Sequence, residues 1–176
     1  MKTNLRLRPP LMAMLLSLFV ASAMAQAVDT ARVQVKWAPD DQLTEVRQNS
    51  LHRGYMRPAQ WQKVLGDYLR RRAERLLPAG QRLDVTIDDI KLAGAFEPWR
   101  GPGMQDVRIL KDIYPPRIDL HFRLTGTDGK TLREGSAKLR DLAYLQRGLP
   151  NDDDPLRYDK RLLGNWLSSE FRRDKG

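Results

Sequence analysis

The sequence has 176 residues, no cysteine and a formal net charge of +9. The lack of cysteine excludes disulfides, thiol nucleophiles and thiolate metal ligands. The length fits one domain of common size with a hydrophobic core of its own.

The first 25 residues have the organisation of a cleavable secretory signal peptide. Three basic residues among the first eight form a positively charged start, and an apolar run follows at 11–20. This run is too short to cross a bilayer, because a spanning helix needs about 20 residues. The Ala23-Met24-Ala25 motif predicts cleavage before Gln26. The alternative is an uncleaved membrane anchor.

Export to the bacterial periplasm is the expected destination, with secretion into the medium as the alternative. Cleavage removes three basic residues and no acidic ones, so the mature domain, 26–176, keeps a net charge of about +6. The polyanions in that compartment are lipid headgroups, lipopolysaccharide and cell-wall polymers. An unidentified envelope protein or one of these polyanions is therefore the expected partner, and neither nucleic acid nor integral membrane insertion after cleavage is expected. The alternative for the basic charge is a solvated surface. The sequence leaves the oligomeric state open.

The first half of the domain predicts a strand, a loop and a long helix. Alternating apolar residues at Val33, Val35 and Trp37 indicate a half-buried strand. Residues 38–57 are predicted to be loop with at most one helical turn. Helical periodicity over 59–77 then predicts an amphipathic helix that begins near Pro58, with an apolar face of Trp61, Val64, Leu65, Tyr68, Leu69 and Leu76.

Two arginines interrupt this helix pattern. Arg75 lies at the edge of the apolar stripe, where it reaches water, whereas Arg72 lies in its middle. Three interpretations of Arg72 stay open: a side chain that extends its guanidinium to the edge, an ion pair with an acid on a strand, and a cation that faces a ligand. Arg70, Arg71 and Arg75 also form a basic helix face that could bind anionic surfaces.

The second half predicts strands followed by a helix. Alternation indicates a strand from Leu83, a short strand at 106–110, and a hairpin of 118–124 with 131–140 around the Asp128-Gly129 turn. Asp154-Pro155 is the predicted start of the last helix, whose apolar face is Leu156, Leu163, Trp166, Leu167 and Phe171. The predicted fold is a single α+β domain: a mostly antiparallel sheet of about four to five strands with two amphipathic helices on one face.

The loop at 94–105 is the predicted binding site, because functional groups concentrate on such loops. The proposed ligand- or partner-binding residues are Phe96, Trp99, Arg100, Met104 and Tyr114. Exposed aromatics beside an arginine could hold a peptide, a glycan or a protein. The alternative is that these aromatics cap the open end of the core. The Tyr114-Pro115 bond is expected to be trans.

No catalytic residue, metal site or cofactor is predicted. Asp119 and His121 share one face of a strand, where a carboxylate could orient an imidazole base, but polar neighbours on a solvated sheet face have the same pattern. The acidic run 152–154 fits a turn and a helix start better than a calcium loop.

Four segments in order resemble a bacterial family catalogued as domain of unknown function 3016: DVTIDDIKLAGAFEPW, DVRILKDIYPPRIDLHF, LRDLAYL and PLRYDKRLLGNWL. The resemblance covers about Val33 to Trp166, and its most specific part is Lys111 to Ile118. It implies an exported single-domain protein and carries over no activity.

Three functional hypotheses follow. The leading one is a non-enzymatic binding or interaction module of the cell envelope. The second is a peripheral binder of lipid headgroups or lipopolysaccharide through the basic helix face. The third is a hydrolase that uses Asp119 and His121, which requires both side chains to line one concave pocket.

Overall fold

The computed structural model describes residues 31–49, 56–146 and 153–171, which belong to one compact unit, Ala31–Gly176. The predicted signal peptide lies outside the described residues. The elements in chain order are β1 (Val33–Trp37), α1 (Thr44–Asn49), α2 (Pro58–Leu76), β2 (Arg82–Lys91), β3 (Ala95–Phe96), β4 (Arg108–Ile109), β5 (Arg117–Thr125), β6 (Thr131–Arg140) and α3 (Arg157–Phe171).

Four strands form the main sheet in the order β1-β2-β5-β6. β1 runs parallel to β2, with Val33 opposite Leu83, because α2 returns the chain between them. The pairs β2–β5 and β5–β6 are antiparallel. The mostly antiparallel sheet of the predicted α+β fold is therefore confirmed, and β3 and β4 form a separate two-stranded sheet.

The core lies between one face of the sheet and the two long helices. Alternate residues of β5, including Ile118 and Leu120, face inward and are almost fully buried. Trp61 of α2 and Trp166 of α3 belong to the same cluster. Both predicted amphipathic helices therefore cover one face of the sheet. Within the ranges that the structure describes, no helix has the length and apolar character to cross a membrane.

Three local predictions differ from the structure. Part of the predicted loop 38–57 is helical, because a 3₁₀ turn at Asp40–Gln42 leads into α1. The predicted irregular loop 94–105 begins with β3, which pairs with β4, and continues into a 3₁₀ turn at Pro98–Arg100. These elements are too short to show a periodic pattern. The last helix begins at Arg157 rather than at Pro155.

The later start of α3 has a local cause. The carboxylate of Asp154 accepts the backbone N–H of Leu156 at 2.9 Å, and its carbonyl accepts that of Arg157 at 3.1 Å. Because these bonds close a turn before the helix, Asp154 shapes the approach to α3 instead of occupying the predicted position next to it.

A bulge in β2 sends consecutive acidic residues to different partners. The register with β5 shifts between Ile87 and Asp89. Asp88 reaches His121 on the open side of the sheet. Asp89 accepts the backbone N–H of Thr44 at 2.6 Å and its hydroxyl at 2.8 Å. Asp89 therefore caps the start of α1, which explains why that short helix forms.

The crossing of α2 and α3 is centred on a glycine. A Cβ atom at Gly164 would lie 2.5 Å from the Tyr68 hydroxyl oxygen and 3.2 Å from Arg72 Nε. Arg72 donates to the Ser168 hydroxyl at 3.2 Å, and within the described residues it forms no ion pair with a strand acid. The middle of the apolar stripe therefore tolerates an arginine because α3 presents a small residue to it.

Candidate functional site

The predicted binding loop begins and ends at a small antiparallel sheet. Ala95 pairs with Ile109, and Phe96 pairs with Arg108. Gly94, just before this sheet, has φ +83°, and a Cβ atom there would lie 2.8 Å from the Ile109 carbonyl oxygen. Only glycine fits this position without strain. The base of the loop is therefore fixed by the backbone.

A buried carboxylate holds the loop from inside. The Glu97 side chain is only 1% exposed. It accepts hydrogen bonds from Arg100 Nε, from Lys111 Nζ and from the Tyr114 hydroxyl, the last at 2.9 Å. Two of the five predicted site residues, Arg100 and Tyr114, are thus brought together by an acid that was not among them.

The same contacts determine the protonation of the Glu97 carboxyl. Its hydrogen bond with Lys111 lowers the pKa to about 2, against the opposing effect of desolvation. The hydrogen bond to Glu97 raises the pKa of Tyr114. A carboxylate with so low a pKa is a poor proton acceptor at neutral pH. Glu97 therefore orders the loop and is not a suitable general base.

A second polar network lies beneath the loop. Arg108 of β4, only 5% exposed, pairs with the buried carboxylate of Glu45 and donates to the carbonyl oxygens of residues 92–94. Lys91 pairs with the same carboxylate at 3.2 Å. Asp159 of α3 accepts the backbone N–H of Ala93 at 3.1 Å. Because its members come from α1, β2, β4 and α3, this network joins four elements at the base of the loop.

Burial perturbs two groups of this network in opposite directions. Desolvation raises the pKa of Asp159 to about 7, although Arg108 and the Ala93 N–H favour the ionised form. Desolvation also lowers the pKa of Lys91, although Glu45 opposes this shift. The network therefore contains a carboxyl group that titrates near neutral pH.

The aromatic residues of the loop divide between the two roles that the sequence left open. Phe96 is buried, with the Arg108 guanidinium 4.8 Å from its ring centroid, so it caps the core. Trp99 is 73% exposed. Met104 is half-buried next to a turn in which its N–H donates to the Gly101 carbonyl oxygen at 3.2 Å.

Two further apolar side chains are exposed on segments tied to this loop. Ile113 and Leu142 are each 72% exposed. Ile113 lies in the turn Lys111–Tyr114, which Glu97 holds through both end residues. Leu142 precedes Tyr144, whose hydroxyl donates to the Lys111 carbonyl oxygen at 2.8 Å. We call Trp99, Ile113 and Leu142 the exposed apolar triplet.

His121 and Asp119 do not share one pocket. The His121 imidazole pairs through Nδ1 with Asp88 at 2.8 Å, and both side chains are about half exposed. His121 lines a shallow groove on the open side of the sheet with Lys36 and Ser136, but Asp119 is not part of its wall. The geometry required for the hydrolase hypothesis is therefore not met, and the carboxylate beside His121 comes from the bulge in β2.

The basic face of α2 is partly neutralised. Arg70 pairs with Asp67 at 2.7 Å, and this helix contact lowers the pKa of Asp67 together with the bond from Lys63. Arg71 and Arg75 are exposed to solvent, as expected for Arg75. Binding of anionic surfaces through this face stays a prediction.

Sequence reasoning missed the acids that organise this end of the molecule. Glu45, Glu97 and Asp159 are buried, but each lies in a segment without a recognisable motif. The one available indication was the position of Glu97 between aromatic residues. In the part of the chain that the structure describes, no three His, Asp or Glu side chains are arranged to hold a metal ion.

Comparison with known families gives one match. The model of the family described as "Protein of unknown function (DUF3016)" matches residues 31–169. This range contains the span of about 33–166 over which the sequence resembles that family. A search of the curated proteins found no match to the chain.

Proposed function

The chain belongs to the DUF3016 family, and we propose that it is an exported binding module of the cell envelope whose partner is a protein. The binding surface is the exposed apolar triplet. One observation carries the proposal: Trp99 is exposed on a loop that the buried carboxylate of Glu97 holds in place.

An exposed tryptophan on an ordered loop suits protein recognition. Tryptophan and arginine are enriched among the residues that dominate binding energies. A loop that is already ordered loses little conformational entropy when it binds. Three large apolar side chains on neighbouring segments favour a protein partner over a polyanion, which would require cations at the same place.

Export rests on the N-terminal 25 residues. Their charged start, apolar run and Ala-Met-Ala motif are the features that the Sec pathway recognises. The expected outcome is a protein in the periplasmic fraction whose N-terminal residue is Gln26. A protein that stays in the cytoplasm with its first 25 residues attached would contradict export and leave the binding surface to its own test.

The binding surface is tested by cross-linking in cells. A photoreactive amino acid replaces Ile113, and the adducts are compared between the otherwise unchanged chain, Trp99→Ala with Arg100→Ala, and the control Leu132→Ala. Leu132 is also exposed, but it lies near the far end of β5, about 30 Å away for nine residues of strand.

We expect a defined protein adduct that decreases at least fivefold in the Trp99→Ala, Arg100→Ala chain and is retained in Leu132→Ala. Circular dichroism of each purified variant verifies the fold. Equal adduct yields in all three chains would show that the exposed apolar triplet does not bind the partner.

A further inference from the structure

A cationic pocket lies at the crossing of α2 and α3, apart from the binding loop. It encloses about 440 Å³. Its wall contains four basic side chains and one acidic side chain, a surplus of three positive charges: Arg72, Arg157, Lys160, Arg161 and Asp154. The Tyr68 hydroxyl also faces it, so the pocket offers donors rather than acceptors.

Carboxylates within the fold compensate two of these cations. Lys160 pairs with Asp154, and Arg161 pairs with Asp141 at 3.2 Å. Arg157 donates to the Asp154 backbone carbonyl at 3.1 Å, and its guanidinium lies 4.6 Å from the Tyr158 ring centroid. Neither contact supplies Arg157 with a negative charge.

Arg72 is the second cation without a carboxylate partner among the described residues. Its terminal nitrogen donates to the Ser168 hydroxyl, and its Nε is shielded from solvent without a hydrogen-bond acceptor. A partly desolvated guanidinium with so few acceptors is costly unless an anion approaches it. Arg72 lies in the interior of α2, where its backbone and its contact with Gly164 hold it in place.

The position of the other cations is unfavourable for the helix itself. Arg157, Lys160 and Arg161 occupy the first turns of α3, where the helix dipole is positive. Stabilising charges at that end are negative. A bound anion would satisfy the helix dipole, Arg72 and Arg157 together, and it explains a charge arrangement that local helix stability opposes.

We propose that this pocket binds a phosphate group, either free phosphate or the phosphate of a lipid headgroup. The planar guanidinium groups of Arg72 and Arg157 match phosphate oxygens, and phosphate carries the negative charge that the pocket lacks. This site is independent of the exposed apolar triplet, so the two proposals fail separately.

The test uses the protein expressed with its own N-terminal segment and three variants of equal charge change. Arg72→Gln and Arg157→Gln remove the two cations of the pocket that have no carboxylate partner. Arg71→Gln is the matched control, because Arg71 neighbours Arg72 on α2 but is exposed and outside the pocket wall. Circular dichroism verifies each fold, and if Arg72→Gln does not fold, Arg157→Gln decides.

One arm titrates ¹⁵N-labelled protein with sodium phosphate, with sodium chloride of equal ionic strength as reference. Saturable shifts of the Gly164 amide that weaken at least tenfold in both pocket variants, but not in Arg71→Gln, support the pocket. The other arm sediments the protein with phosphatidylglycerol or phosphatidylcholine vesicles. Selective binding to phosphatidylglycerol that both pocket variants lose, without a response to free phosphate, assigns a lipid source. Binding in neither arm, or equal loss in Arg71→Gln, overturns the proposal.

Discussion

The hydroxyl of Tyr114 donates a 2.9 Å hydrogen bond to the carboxylate of Glu97, a residue 17 positions earlier in the chain. This bond joins the predicted binding loop to the turn that carries Ile113. Arg100 and Lys111 donate to the same carboxylate. The order of the exposed surface therefore depends on one buried side chain.

Replacement of Glu97 should weaken the fold most at neutral pH. Its pKa is lowered from 4.5 to about 2, so ionised Glu97 stabilises the folded state above pH 4.5 and loses this effect as the pH falls towards 2. We expect Glu97→Gln to lower the urea midpoint at pH 7 and to reduce the difference from wild type at pH 2.5. The exposed Glu74→Gln is the control. A constant difference at every pH would contradict this role.

Asp159 should have the opposite pH dependence. Its folded-state pKa is raised from 3.8 to about 7, so the unfolded chain loses this proton first, and stability falls as the pH rises from about 4 to 7 before levelling off. We expect Asp159→Asn to remove this decrease, on the order of a few kcal/mol, and to retain an oxygen acceptor for the Ala93 N–H. Urea unfolding at pH 5, 6, 7 and 8 measures it. Parallel curves for both proteins would exclude titration of Asp159 in this range.

Truncation of a central strand residue should cost far more than truncation of an edge residue. Leu120 is buried in the middle of the sheet, whereas Leu132 is exposed on the edge strand β6. Leu120→Ala should lower the free energy of unfolding by about 2–5 kcal/mol because it leaves a cavity, and Leu132→Ala should change it by less than about 0.5 kcal/mol. Urea unfolding compares them. Similar losses would be inconsistent with the described core.

The glycine at the helix crossing should not accept a methyl group. Alanine has the higher helix propensity, by about 1 kcal/mol, but a Cβ at Gly164 would lie 2.5 Å from the Tyr68 hydroxyl oxygen. We expect Gly164→Ala to destabilise the protein by about 1–3 kcal/mol. In a Tyr68→Phe background the loss should be smaller, because the hydroxyl is absent. Thermal unfolding of the four proteins gives the coupling, and additive effects would argue against this contact.

The long elements were predictable because burial of one face imposes a period. The alternation from Ile118 to Leu124 and the helical stripe from Trp61 to Leu76 identified β5 and α2, and the structure confirms both. α1, β3 and β4 were missed because their lengths of two to six residues contain no repeat. Their formation depends on distant partners, such as Asp89 at the start of α1.

The sequence by itself determined the α+β class, the two amphipathic helices, the family and the expected export segment, because composition and periodicity are local properties of the chain. Tertiary structure alone decided that Phe96 is buried while Trp99 is exposed, that Glu97 joins Arg100 to Tyr114, and that Arg72 meets the cations of α3. Buried charges acquire their partners from remote segments, and no spacing in the sequence encodes which segments the fold brings together.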